Sequence, residues 1–135
     1  MLGPHGFQRA EKGGSRPCSA PGGLGLAAVG LCHTLYGIGP IVADVDTAKR
    51  QAALEAGASA VIDPADPDAR KGLLVDTGGM FSAIDFVGAE KSAAFGLSLL
   101  RKGGRLFVVG LFGGSLAISL SLLSNRTETR RRARP

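Results

Sequence analysis

Two features of the chain have the residue types to hold phosphates and a sugar. The stretch SAPGGLGLAAVG, residues 19–30, sets Gly22, Gly23 and Gly25 in a turn that leads into a run of small apolar residues. Backbone N–H groups at the start of a helix, unscreened by a Cβ, suit a pyrophosphate. Asp44 is the second feature, following the apolar residues 41–43 and standing 19 positions beyond Gly25. A carboxylate at a strand end there can accept hydrogen bonds from both hydroxyls of an adenosine ribose and repels a 2′-phosphate. The G-x-G-x-x-G spacing of a dinucleotide turn is only partly kept, because its opening position is Ala20, followed by Pro21. Pro21 disfavours a helical Ala20 but removes no donor from Gly22, Gly23 or Leu24. Asp46, which directly precedes a helical stretch, reads as a helix cap instead.

The elements that must carry these residues alternate. Residues 23–36 read as a close-packing helix, stopped by Gly37, Gly39 and Pro40, and 41–44 as a buried parallel strand. Residues 47–56 form a second helix, closed by Gly57, and 59–63 a strand. A weaker helix over 68–76, closed by Gly78 and Gly79, precedes a strand at 81–88. A helix over 90–100, stopped by Gly103 and Gly104, precedes a strand at 105–110. Strand–helix alternation with short connections predicts a parallel sheet with right-handed crossovers and helices on both faces. Small residues at the strand ends, Gly88 and Gly110, would leave room for a ligand across the carboxyl edge.

At 135 residues, the chain is read as one modest domain with distinct ends. Its net charge of +5 is concentrated there. Residues 1–17 hold Arg9, Lys12 and Arg16 against Glu11, and residues 125–135 hold Arg126, Arg130, Arg131, Arg132 and Arg134 against Glu128. The body is left near neutral, so the basic balance says little about it. The expected organisation is a disordered or non-native head over 1–19, a nucleotide-binding unit over 20–123 and a basic disordered tail over 124–135. Cys18 and Cys32 read as reduced and structural, as in a cytoplasmic protein, and neither they nor His5 and His33 make a zinc-ligand pattern. No apolar run approaches a membrane span.

With these pieces in order, GGLGLAAV, VADVDTAKRQAALEAGASAVID and AIDFVGAEKSAAFGLSLLRKGGRLFVVGLFGG closely resemble the nucleotide-binding domain of the zinc-type alcohol dehydrogenases, in the medium-chain dehydrogenase/reductase family. The resemblance covers about three quarters of the chain. It implies an α/β fold with a Rossmann-like, doubly wound parallel sheet and NAD as cofactor. It also implies a parent reaction of reversible hydride transfer between an alcohol and NAD, with zinc polarising the substrate oxygen. The pyrophosphate turn maps onto Gly22, Gly23, Leu24 and Gly25, and the ribose residues onto Asp44 and Lys49. The strand-exit loops map onto Phe86 and Val87 and onto Val109, Gly110 and Leu111, on the nicotinamide side.

Departures from the family bound these expectations. The family's first strand should fall at about residues 14–19, where GSRPCS offers neither apolar burial nor, at Pro17, a ladder donor. The sixth strand is replaced by the arginine-rich stretch, and the zinc-holding catalytic domain has no counterpart, so no catalytic residue is assigned. Loss of the central first strand would leave unpaired backbone groups, each costing about 1–3 kcal/mol. The expectation is therefore an incomplete sheet in a truncated, inactive NAD-binding fragment, with oligomerisation doubtful. Zinc-independent quinone or enoyl reductases of the same family stay open as the parent. So does a non-catalytic module whose arginine tail meets nucleic acid or an acidic partner, the less favoured reading.

Overall fold

Strand and helix alternate because each strand here is short and apolar while each intervening segment carries its own start and stop signals. A computed structural model describes residues 17–19 and 23–121, with side chains from residue 23 onward. Five strands and four helices follow in chain order: β1 (Pro17–Ser19), α1 (Gly23–Tyr36), β2 (Ile41–Ala43), α2 (Thr47–Glu55), β3 (Ala60–Ile62), α3 (Pro67–Thr77), β4 (Met80–Asp85), α4 (Glu90–Leu99) and β5 (Leu100–Val108). The sheet order is β3-β2-β1-β4-β5, with every pair parallel. This is a Rossmann-like, doubly wound α/β sheet.

Successive residues of a strand face opposite sides of a sheet, and β2 makes the division visible. Ile41 joins a core of Leu73, Met80, Ala83, Leu99 and Leu100, whereas Val42 joins Val29 and Ala53. The first core is covered by α3 and α4, the second by α1 and α2. Cys32 packs half-buried against the second core and forms no disulfide. Asp46 caps α2, its Oδ1 accepting from the N–H groups of Ala48 at 2.8 Å and Lys49 at 3.4 Å. Asp66 caps α3 with Pro67 in its first turn, and Gly78 ends that helix in the left-handed region at φ +68°.

Two expectations are corrected. The central position expected to be vacant is filled by β1, whose three residues register with Ile41, Val42 and Ala43 of β2, while Ser19 also registers with Asp85 of β4. Strand propensity is a property of side chains, whereas a strand between two firm neighbours requires only backbone pairing. Pro17 stands at the first position of β1, where a missing N–H is tolerated. Gly103 and Gly104 do not stop α4, which already ends at Leu99 and passes straight into β5. They lie in an irregularity of that strand: Met80 registers with Leu100 but Ser82 with Arg105, so residues 101–104 bulge out. Gly103 has φ +77°, and a Cβ on Gly104 would come within 2.9 Å of the carbonyl oxygens of Arg101 and Met80. Among the described residues no strand follows β5. The arginine-rich stretch lies outside the described residues.

Candidate functional site

The site is built on one row of registered strand ends. Ile62, Ala43, Ser19, Asp85 and Val108 are successive partners across β3, β2, β1, β4 and β5. The residues that follow each of them therefore emerge along a single carboxyl edge, with neighbouring strands about 4.8 Å apart. Asp44 continues from Ala43, and α1 begins at Gly23, four residues after Ser19 of the adjacent strand. The start of α1 and the acidic residue thus share one edge of the sheet. In an open parallel sheet this edge, at the point where strand order reverses beside β1, is where ligands lie.

α1 presents its positive end here, since its first turn contains no acidic side chain to neutralise it. Gly23 and Leu24 are exposed, and Gly25 is buried in the first turn. A Cβ on Gly23 would meet nothing within 4 Å. Gly22 lies outside the described residues.

Asp44 is buried, at 6% exposure. Its Oδ1 accepts from the Asp46 N–H at 2.8 Å, an arrangement that turns the chain from β2 into α2. Its main-chain oxygen accepts from Arg50 at 2.6 Å, and its N–H donates to Ile62 O at 3.2 Å. Oδ2 has no hydrogen bond among the described residues. Beside it opens a cleft of about 590 Å³, walled by Asp44, Lys49, Pro64, Val87, Ser92 and Phe95. That volume falls within the range of small-molecule sites, about 300–1,000 Å³. Ala89 and Lys91 complete the α4 side. The walls are mainly apolar, with one carboxylate, one hydroxyl and two ammonium groups, enough to orient a flat, polar-edged ligand.

The sequence-predicted residues divide over this geometry. Asp44, Lys49 and Val87 meet in the cleft. Phe86 turns instead to the core of Val29, Val42 and Ala53. Val109, Gly110 and Leu111 leave β5 beside the β4 exit: the Val109 and Gly110 N–H groups donate to Asp85 O at 2.8 and 3.2 Å, and the Phe112 N–H to Val87 O at 3.1 Å. Val109 is half exposed and Leu111 almost wholly so. Gly88, at φ +70°, and Gly110 face each other so closely that a Cβ on either would run into the other's loop backbone. The space these glycines leave is filled by that loop–loop contact. Sequence reasoning missed Pro64, Ser92 and Phe95 in the cleft wall and Asp85 beneath it. A carboxylate ending β4, as Asp44 follows β2, was the available signal.

A parallel sheet in the order 3-2-1-4-5, a helix start and a buried carboxylate at one edge point to a nucleotide-binding dehydrogenase unit, and comparison with known proteins agrees. The zinc-binding dehydrogenase family matches residues 23–132. The chain belongs to that family. Among its relatives, the NAD-dependent alcohol dehydrogenase of Saccharolobus solfataricus is 34% identical over 107 residues, 78% of this chain and 31% of that protein. The L-threonine 3-dehydrogenase of Pyrococcus furiosus is 30% identical over 104 residues, 76% of this chain and 30% of that protein. The crystal structure of the alcohol dehydrogenase from Aeropyrum pernix superposes with a TM-score of 0.70 at 32% identity, covering 81% of this chain and 32% of that one. The chain thus spans about a third of the length of the family members it matches. Among the described residues no group of three or more His, Cys, Asp or Glu side chains could hold a metal ion, so the zinc of the family's name finds no ligand set there. No helix among them is long and apolar enough to cross a membrane.

Proposed function

We propose that residues 20–123 form an NAD(H)-binding unit of an alcohol dehydrogenase-like oxidoreductase. The observation that carries this reading is Asp44: a buried carboxylate directly after β2, one strand from the start of α1, lining a cleft of about 590 Å³. Bound there, the adenosine ribose would donate its hydroxyls to Asp44, with the Lys49 ammonium at the same cleft wall. The pyrophosphate would lie over Gly22, Gly23, Leu24 and Gly25, where helix N–H groups need no counter-charge. The remaining half would run past β1 toward the main chain of Phe86 and Val87 and of Val109, Gly110 and Leu111. NAD supplies an acceptor for hydride; the residues of this chain bind and orient it. Transfer to or from an alcohol is proposed for an assembly that also supplies a substrate-holding surface. NAD is preferred over its 2′-phosphorylated form because Asp44 would face that phosphate at close range.

With no tryptophan in the chain, NADH emission can be read directly, alongside titration calorimetry. Saturable NADH binding below millimolar concentration is expected, with NADPH at least about tenfold weaker. Asp44→Asn keeps the acceptor for the Asp46 N–H and is expected to weaken NADH about tenfold, ~1.4 kcal/mol, while narrowing the gap to NADPH. No heat and no emission change at millimolar NADH would remove the reading.

A further inference from the structure

Asp85 is the last residue of β4 as Asp44 is the first beyond β2, yet its carboxylate serves the protein's own loops. It is 1% exposed. Oδ1 accepts from the Val87 N–H at 2.9 Å and the Gly88 N–H at 3.2 Å. Oδ2 lies 2.8 Å from Ser92 Oγ, whose one proton goes to this nearer, charged acceptor rather than to Ala89 O at 3.0 Å, and which itself accepts from the Ala89 N–H at 3.1 Å. Only this half of a capping box exists, because Ala89 has no side-chain acceptor to return the bond. The main-chain oxygen of Asp85 meanwhile takes the Val109 and Gly110 N–H groups. One buried residue therefore ties both strand exits, and Val87, Ala89 and Ser92 form the wall of the cleft shared with Asp44.

We propose that Asp85, acting with Ser92, is a positioning residue that holds the β4 wall of the cleft in its ligand-ready place. The proposal rests on the nucleotide-binding reading above. Three donors compensate a carboxylate that water barely reaches. Deleting one leaves a buried charged acceptor short of a partner, and the loop must shift to replace it. A wall that has to be ordered on binding lowers affinity without any lost contact to the ligand.

Ser92→Ala tests this with ADP-ribose as the probe. The dissociation constant is expected to rise about tenfold, and amide exchange at Val87 and Gly88 to accelerate by a similar factor, roughly tenfold. Ser92→Thr, which keeps the hydroxyl, is expected to restore both. Leu73→Val, a core change on α3 away from the cleft, is expected to lower stability while leaving affinity within about twofold. Lost affinity with unchanged Val87 and Gly88 exchange would mean that Ser92 touches the ligand directly, and would overturn the positioning role. So would an equal affinity loss in Leu73→Val, or wild-type affinity in Ser92→Ala. Failure of the unsubstituted chain to bind ADP-ribose at millimolar concentration sinks the nucleotide reading and this proposal together.

Discussion

The two halves of the sheet are built to different standards. On one side β4 and β5 run six and nine residues, register at five positions and are closed by α4, whose last residue, Leu99, is fully buried. On the other, β1, β2 and β3 have three residues each, and β3 is only half-buried along its length. The seam between the halves is narrowest of all: β1 registers with β2 at three positions but with β4 at one. The proposed ribose-binding carboxylate nevertheless belongs to the short-strand half. A strand needs little length to deliver one side chain to an edge, provided the neighbouring half supplies the cooperative core. Regions of low local stability are where binding elements are commonly found.

The largest expected effect tests that division directly. Leu99→Ala deletes a fully buried side chain from the core shared by Ile41, Met80, Ala83 and Leu100, and is expected to cost about 3–5 kcal/mol. Val42→Ala, equally buried but on β2 of the short-strand half and facing the opposite side of the sheet, removes two carbons and should cost about 2 kcal/mol. Urea denaturation of the two variants measures the difference. Against a net stability of roughly 5–15 kcal/mol, the first change threatens the fold and the second does not. If Val42→Ala proves the costlier, the short-strand half carries the fold and the comparison is inverted.

A middle-sized effect comes from two glycines with positive φ, one in each half. Gly57, at φ +107°, would bring a Cβ to 2.9 Å from Cγ and 3.1 Å from Cβ of exposed His33, a contact relieved by a ring rotation and a shift of a few tenths of an ångström on the surface of α1. Gly57→Ala should therefore cost little beyond the left-handed backbone, about 1–2 kcal/mol. Gly88, at φ +70°, would press a Cβ into the Gly110 backbone, which is already fixed by its bond to Asp85. Gly88→Ala adds about 1–3 kcal/mol of overpacking to the same strain. Thermal unfolding should separate the two variants clearly. Equal losses would show that the β4 and β5 exits are no more rigid than the α2–β3 turn.

Much of this was legible in the chain, and what was hidden has a common cause. α1 and α2 start and stop close to where small-residue runs, Asp46 and the terminal glycines place them, because those signals act within a few residues. The place of Asp44 was legible because a residue that follows a short apolar parallel strand must emerge at the carboxyl edge of the sheet. β1 was not, since Pro17 and its neighbours show no strand pattern and owe their conformation to β2. Gly103 and Gly104 misled because a glycine pair reads alike as a helix stop or a strand bulge, and the register of β5 on β4 decides between them. Phe95 and Ser92 carry ordinary helix patterning; only the crossing of α4 over the strand ends brings them to the cleft.

The smallest expected effect sharpens the comparison from the short-strand side. Asp63, just beyond β3, stands 3.4 Å from Arg50 Nη1, with the two side chains 37% and 18% exposed. Arg50 is already held by the Asp44 main-chain oxygen at 2.6 Å and by Thr47 Oγ1 at 3.0 Å. The ion pair therefore adds little orientation, and a pair this exposed contributes about 0–1 kcal/mol. Asp63→Asn removes the charge while keeping the acceptor that receives the Ala65 N–H. Stability should change by less than about 0.5 kcal/mol and show almost no dependence on added salt. A loss well above 1 kcal/mol, shrinking as salt is added, would mean that charges rather than apolar packing fasten β3 to α2. The half that presents Asp44 would then be an electrostatic assembly, tightened or loosened by the ionic conditions of its own ligand.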